Sequence, residues 1–485
     1  MRYAHRHLAV VFTMYGFGVL PLTSAGQAPS PDQMPPSKPG ISSAEYAQRR
    51  QKLRELMRAD GPSERPRLAL LRGGDWGDNQ DYEEGRFYQE ANFHYLTGVS
   101  QPGAFLLIDA NQDRDTLFLP DPRTTGQPQA QAWGFDEVAP TSQLFGRLFS
   151  LLDSPPRRRG RFFASTGAQL RLLNPQPADD NPGREARLVR WLREGAPTAQ
   201  YADLRPLLAR LRKHKSPSEI ALLQRAIDIT ADAQRAVAQT LRPGIHEYTL
   251  EGAIAQAFLA GGALRPGFAS IVGSGPNACI PHYFQNDRQI EAGDLVVVDI
   301  GAEFQGYTAD ITRTFPATGQ FTDRQRALYQ AVLDAQRHAE ARFVPGTTRL
   351  REMTGWVRDF FRDYPLRGLA EDGTERTLDH FFIHGLSHYL GLDVHDVGDT
   401  SEPMQPGEVF TIEPGLYIPA ERIGIRIEDD YLVTQSGLEK LSGDLPSDPD
   451  QVEALMKRPL PPATETGHPA LPAPEAPAHL DHCGG

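Results

Sequence analysis

The sequence predicts two folded domains, the first an α/β layer and the second a mixture of strands and helices. Three observations carry that expectation. The 485 residues exceed what one hydrophobic core of ordinary size supports. Short apolar runs at 68–71, 104–108, 116–119 and 161–164 alternate with polar turns and helix-like stretches, the pattern of a layered α/β unit. Ser216-Pro217-Ser218-Glu219 then reads as a helix start, with an N-cap serine, proline at the first helical position and a glutamate completing a capping box. Ile220, Leu223 and Ile227 follow at helical spacing. The expected domains are 44–210 and 211–457.

The two ends read differently. Arg2, His5, Arg6 and His7 precede an apolar run at 8–22, and small residues follow at Thr23, Ser24 and Ala25. That order is a secretory signal, expected over 1–25. Its apolar part is shorter than the ~20 residues a spanning helix needs, so no stable membrane anchor is expected. Residues 26–43 form a Pro-rich linker with Pro29, Pro31, Pro35, Pro36 and Pro39. Residues 458–485, rich in Pro and Ala, read as a disordered tail. The chain is therefore expected to be exported, to a periplasm or to the extracellular medium.

Composition excludes several classes. Lys and Arg number 50 and Asp and Glu 62, for a net charge of −12. Such a surface is a poor replacement for phosphate counterions, so no nucleic-acid partner is expected. The basic run Arg157-Arg158-Arg159-Gly160-Arg161 reads as a solvated loop. Two cysteines are too few for a disulfide scaffold or a thiolate zinc module. Gly273-Ser274-Gly275-Pro276 suits a turn better than a dinucleotide loop.

The chemistry concentrates in the second domain. Leu295-Val-Val-Val-Asp299-Ile300 is an apolar strand run, and alternation resumes from Tyr307 to Phe315. A two-residue turn centred on Phe304 and Gln305 would set Asp299 directly opposite Asp310, with Cβ atoms ~5 Å apart. Two carboxylates that close repel, and a bound dication removes the conflict. Two aspartates on an exposed hairpin is the bland alternative, disfavoured by so apolar a strand. His384, His388 and His395 fall within twelve residues, next to Gly385 and Gly391, in a chain with 14 histidines. Such clustering suggests a metal or oxyanion site. Glu413 in Phe410-Thr-Ile-Glu413-Pro-Gly415 and Glu428 in Ile423-Gly-Ile-Arg426-Ile-Glu428 are acids set among Ile and Phe. Arg426 and Glu428, two apart, would share one strand face. Pairing with arginine could explain Glu428 alone; it does not explain Glu413 and both aspartates. Four carboxylates and an imidazole suit two divalent metals, Mn²⁺ first and Co²⁺ or Zn²⁺ as alternatives. Two such ions clamp a hydroxide and polarise a carbonyl, which implies hydrolysis of an amide or ester.

These residues resemble the pita-bread metallopeptidases, the family of methionine aminopeptidase, prolidase and aminopeptidase P. His384-Gly-Leu-Ser-His388-Tyr-Leu-Gly-Leu-Asp-Val-His395-Asp-Val-Gly and Asn277-Ala-Cys-Ile-Pro-His282-Tyr are similar to the proline-specific branch, Pro281 standing where an aliphatic residue is usual. Arg86-Phe-Tyr-Gln-Glu-Ala-Asn-Phe-His-Tyr-Leu-Thr-Gly98 resembles that branch's N-terminal domain. The resemblance implies a creatinase/aminopeptidase P type α/β N-terminal domain followed by an α+β pita-bread domain. It implies Asp299 on one metal, Asp310 and Glu428 bridging, and His388 and Glu413 on the second. Glu413 would also exchange a proton with a bridging hydroxide. His282 and His395 would hold substrate, with His384 nearby, while Tyr417 and Arg426 would orient ligands. The implied substrate is a peptide with proline second, and the implied assembly a homodimer or homotetramer. Rival expectations are a prolidase confined to Xaa-Pro dipeptides, a metal-free creatinase-like hydrolase and a non-catalytic binding protein. The last two would expect substituted ligand positions.

Overall fold

The computed structural model describes residues 40–60, 66–75, 87–120, 126–152, 168–173 and 184–457. The expected signal, most of the expected linker, the basic run, the strand expected at 161–164, Arg86 and the expected tail lie outside the described residues.

The N-terminal region builds β1 (Arg67–Arg72), β2 (Phe105–Asp109), β3 (Arg114–Leu119), β4 (Glu137–Pro140), β5 (Gln169–Leu172) and β6 (Gln200–Asp203). They form one sheet of order β4-β3-β2-β1-β5-β6, in which β2 runs antiparallel to both neighbours and the other pairings are parallel. Its helices are α1 (Ser43–Ala59), α2 (Ala91–Thr97), α3 (Gln127–Trp133), α4 (Leu144–Leu152), α5 (Arg184–Gly195) and α6 (Arg205–Arg212). Side chains alternate across a strand, and β1 buries both sets. Ala69 and Leu71 pack with α1, α2 and α6, whereas Leu68 and Leu70 pack with α4 and α5. Helices on both faces of a largely buried sheet give the expected α/β layer.

The second region opens with α7 (Pro217–Thr240) and α8 (Glu247–Gly261). Ser216 caps α7 in a complete capping box, its Oγ accepting from Glu219 N at 3.2 Å while the Glu219 carboxylate accepts from Ser216 N at 2.9 Å. There follow β7 (Arg265–Pro266), β8 (Ile271–Ser274), β9 (Leu295–Ile300), β10 (Ala302–Phe304), β11 (Tyr307–Thr308), β12 (Ile311–Pro316), α9 (Asp323–Arg342) and α10 (Leu350–Asp363). The remainder comprises β13 (Arg367–Leu369), β14 (Glu375–Thr377), β15 (Val409–Ile412), β16 (Gly415–Ile418), β17 (Ile423–Arg426), β18 (Asp429–Val433), β19 (Leu438–Lys440) and α11 (Pro449–Met456). Small antiparallel sheets result, of orders β12-β9-β8, β11-β10-β7, β15-β18-β19 and β16-β17. Every residue of β9 and β12 is buried, which rules out the exposed-hairpin alternative.

The hairpin register corrects one expectation. Thr312, not Asp310, pairs with Asp299, and Phe304 pairs with Tyr307. The turn therefore centres on Gln305 and Gly306, with φ of 53° and 92°. A two-residue hairpin turn of this kind needs positive φ at both central positions, so the glycine belongs inside the turn. A slip of two positions keeps side-chain parity. Asp310 thus remains on the Asp299 face, diagonal to it.

Candidate metal centre and active site

The site forms where separate ladders end. Asp299 projects from β9 and Asp310 immediately precedes β12. Glu413 follows β15, and Glu428 lies between β17 and β18. Both glutamates are just outside the strands expected to carry them. His388 is laced to β15 by Thr411 N donating to its carbonyl at 3.0 Å.

These side chains converge. His388 Nε2 lies 3.3 Å from Asp310 Oδ2, 3.6 Å from Glu413 Oε1 and 3.9 Å from Glu428 Oε1. Asp310, His388 and Glu428 each offer a ligand atom within 4.8 Å of the others. His388 Nδ1 is 3.1 Å from the Tyr389 carbonyl. A carbonyl only accepts, so Nδ1 carries the proton and Nε2 presents its lone pair to the acids. Burial first, then Asp299, pushes the Asp310 carboxyl well above its usual range. Burial and then Asp310 do the same to Glu428. Burial also raises Glu413, against the opposing pull of His388 and Arg426.

Asp299 sits beside Asp310 and is held from behind. Arg426 Nη2 donates to its Oδ2, while Arg426 Nη1 donates to Tyr417 Oη at 2.7 Å. Tyr417 Oη lies 2.9 Å from His384 Nε2, and His384 Nδ1 lies 2.7 Å from the Gly385 carbonyl. The same tautomer logic makes the Tyr417 hydroxyl the donor to His384 Nε2. Burial first, then Arg426, depresses His384 to about 4. His384 Nδ1 is also 3.8 Å from Glu413 Oε2. The His395 ring stands against His388 with centroids 4.4 Å apart. Its pKa is lowered by burial and then by His388 and His282. His282 and His395 are both exposed. The chain thus brings together all five expected ligands, with His384 beside Glu413, His395 against His388, and His282 near His384 and His395.

Two contributors carried no recognised sequence signal. Thr312 Oγ1 donates to Glu428 Oε2 at 2.6 Å and accepts from Arg426 Nε at 3.2 Å. Asp430, fully buried, accepts from Asp310 N at 3.2 Å. Its place in the run Glu428-Asp429-Asp430 was the available clue, since three acids inside an apolar strand demand partners.

The donor set fits divalent cations. Asp299 Oδ1 and Asp310 Oδ1 are buried without a hydrogen-bond partner. Native proteins seldom leave such atoms bare. Carboxylate oxygens with one imidazole suit Mn²⁺, Co²⁺ or Zn²⁺.

Residues 221–435 match the metallopeptidase family M24, and residues 46–155 match the aminopeptidase P N-terminal domain. The chain is 36% identical to the Xaa-Pro aminopeptidase of Escherichia coli, across 86% of this chain and 98% of that protein. The chain belongs to metallopeptidase family M24. A structure of Escherichia coli aminopeptidase P with the inhibitor Pro-Leu superposes with a TM-score of 0.72 at 34% identity, over 86% of this chain and 98% of the other. Human Xaa-Pro dipeptidase is more distant, 28% identical over 85% of this chain and 93% of its own length. The fold is therefore the aminopeptidase P N-terminal domain followed by a pita-bread domain.

Proposed function

We propose that this chain is a metal-dependent aminopeptidase that releases the N-terminal residue from peptides with proline in the second position. The observation that carries the reading is the convergence of Asp310, Glu413 and Glu428 on one nitrogen of His388. The likeness to the Xaa-Pro aminopeptidase of Escherichia coli, over 86% of this chain, supports the substrate class. Proline lacks an amide N–H and has a fixed φ, so a site must be shaped for its ring.

Asp299 would hold one cation, His388 and Glu413 a second, with Asp310 and Glu428 shared between them. Mn²⁺ is the leading candidate, Co²⁺ and Zn²⁺ the alternatives. When bound, the ions supply Lewis-acid polarisation of the scissile carbonyl and lower the pKa of water. Glu413 takes a proton from the attacking water as its oxygen adds to the carbonyl carbon. It returns that proton to the proline nitrogen as the C–N bond breaks. The water oxygen ends in the new carboxylate, and proline becomes the new N-terminus. His282 and His395 face the substrate and donate to the carbonyl oxygen as it gains charge. His384, neutral above about pH 4, accepts from Tyr417. Together with Arg426 this fixes Asp299 in place.

The test is hydrolysis of Arg-Pro-Pro and Ala-Pro by chelator-stripped protein, before and after addition of Mn²⁺. Metal-dependent cleavage of the tripeptide supports the proposal. Cleavage of the dipeptide alone would replace it with a prolidase. Failure on both, with metal bound, would overturn peptidase action at proline. The reading extends to export, supported by the basic and apolar N-terminal pattern and tested by sequencing the mature N-terminus. It extends also to a homodimer or homotetramer, tested by light scattering.

A further inference from the structure

The loop carrying His395 is held by charges that lie outside the metal centre. Asp396, the next residue, has a side chain 1% exposed. Its Oδ2 accepts from Lys215 Nζ at 2.9 Å, and its Oδ1 accepts from Arg212 Nη2. Arg212 and Lys215 are themselves 2% and 1% exposed at the side chain. Arg212 also donates to Asp393 Oδ2 at 2.6 Å and, through Nη1, to Asn92 Oδ1 at 2.7 Å. Asn92 belongs to α2 of the N-terminal layer, where its Nδ2 donates to Glu90 Oε1 at 2.7 Å. Apolar packing points the same way, because Leu392 touches both the N-terminal and the catalytic cores. The turn is tight as well. A Cβ on Gly391 would meet Asp396 Oδ2 at 2.1 Å and Lys215 Cε at 3.1 Å.

We propose that Arg212, Asp396 and Lys215 are positioning residues that set the His395 imidazole above the metal centre, and that Asn92 ties this setting to the N-terminal domain. The proposal rests on the aminopeptidase reading. A buried carboxylate between two buried cations has few alternative arrangements. Breaking one member leaves an uncompensated charge, so the loop must move. A displacement of about 1 Å at a substrate-holding group can lower a rate ~100-fold. On this view the N-terminal layer reaches the chemistry by holding a catalytic-domain loop.

The test is a double-mutant cycle between Asp396→Asn and His395→Ala, read as kcat/KM on Arg-Pro-Pro with metal-loaded full-length protein. Residues acting through one another are non-additive. Asp396→Asn is expected to lose about tenfold or more alone, and under about twofold further in the His395→Ala background. Equal losses in both backgrounds would overturn the proposal. Asp115→Asn, which breaks the buried Arg50–Asp115 pair within the N-terminal layer, is the stability control. It should lower Tm while leaving kcat/KM within about twofold; a loss matching that of Asp396→Asn would mean general destabilisation and also overturn the proposal. Should Asp396→Asn not fold, Arg212→Lys, whose single ammonium replaces the two separated Nη donors that span Asn92 and Asp396, takes its place in the cycle. A second readout needs no turnover. In long-range ¹H–¹⁵N spectra of the zinc-loaded chain, His395 signals should shift or broaden in the variant while those of His338 on α9 stay in place. Unmoved His395 signals would refute positioning even if the parent cleaves no tripeptide. Failure of the parent to cleave would count only against the aminopeptidase reading.

Discussion

Replacing Thr312 with valine should weaken metal binding without replacing any of the proposed ligands. Thr312 is fully buried, and its hydroxyl links Glu428 Oε2 at 2.6 Å to Arg426 Nε at 3.2 Å. Valine keeps the branched shape and removes both bonds. A hydrogen bond to a charged group contributes about 1.5–3 kcal/mol, and a neutral one about 0.5–1.5 kcal/mol. In the stripped protein, burial and then Asp310 raise the Glu428 carboxyl, so it keeps its proton to higher pH than an ordinary carboxyl does. Cation binding makes it a carboxylate and strengthens the Thr312 bond. The variant loses that increment of about 1–1.5 kcal/mol from binding, roughly a tenfold weaker Kd. The control is Thr314→Val, equally buried, whose hydroxyl donates to the Arg426 carbonyl at 2.9 Å and accepts from Arg426 N at 3.1 Å. It should cost stability but leave metal affinity alone. Calorimetric titration of Mn²⁺ into stripped proteins measures both. A Thr312→Val Kd within about twofold of the parent, or equal weakening by Thr314→Val, would refute the reasoning.

Chelation should invert the pH dependence of stability. Asp310 and Glu428 are raised in the folded state, so between ordinary carboxylate pKa values and their own the folded chain holds more protons than the unfolded one. Stability of the stripped protein therefore falls as pH rises, and urea midpoints should be higher at about pH 5 than at about pH 8; saturating Mn²⁺ should abolish or reverse this trend. His384 acts with the opposite sign, being lowered from 6.5 to about 4. Its contribution is lost as pH falls through that window, at up to ~1.4 kcal/mol per unit, so over that window stripped His384→Gln should gain more, or lose less, stability on acidification than the stripped parent in urea titrations. Tyr417→Phe removes the hydroxyl joining Arg426 to His384; kcat on Arg-Pro-Pro should fall about tenfold with metal content intact, as measured by steady-state kinetics and metal analysis.

The candidate ligand set is legible in the sequence because burying an acid is costly and so informative. Asp299 inside an unbroken apolar strand, and Glu413 and Glu428 among Ile and Phe, stand out without any knowledge of pairing. The start of α7 is legible for a local reason, since a capping box is written in four consecutive residues. Thr312 is different. A threonine in an alternating strand is ordinary, and its partner Glu428 is 116 residues away. Strand alternation alone leaves the hairpin register open by two residues, and Gly306 is what fixes it, at the position needing positive φ. Asp429 and Asp430 hid behind Glu428 for a related reason. Strand parity sends neighbours to opposite faces, where Asp429 meets Arg313 at 2.7 Å and Ser442 at 2.6 Å while Asp430 turns to the Asp310 amide.

Placement of Asp310, Glu413 and Glu428 at ladder ends also explains how these acids can be held in register beside Asp299 on β9. Inside a ladder the backbone groups are committed to the adjacent strand. At an end they are free to bond elsewhere, and here they do so across sheets. Glu428 N donates to the Thr312 carbonyl at 3.1 Å, and Glu413 N to the Leu386 carbonyl at 2.9 Å. Asp310 N reaches the Asp430 carboxylate instead. The backbones of Asp310, Glu413 and Glu428 are thereby fixed by partners from other segments, and that of Asp299 by the β9 ladder itself, independently of any cation. Electrostatic repulsion then has only side-chain torsions to act on, and those are restrained by Thr312, Arg426 and the Tyr389 carbonyl. A cation entering such a frame relieves repulsion while requiring little backbone ordering, so most of its binding energy is available to set the ligands for chemistry.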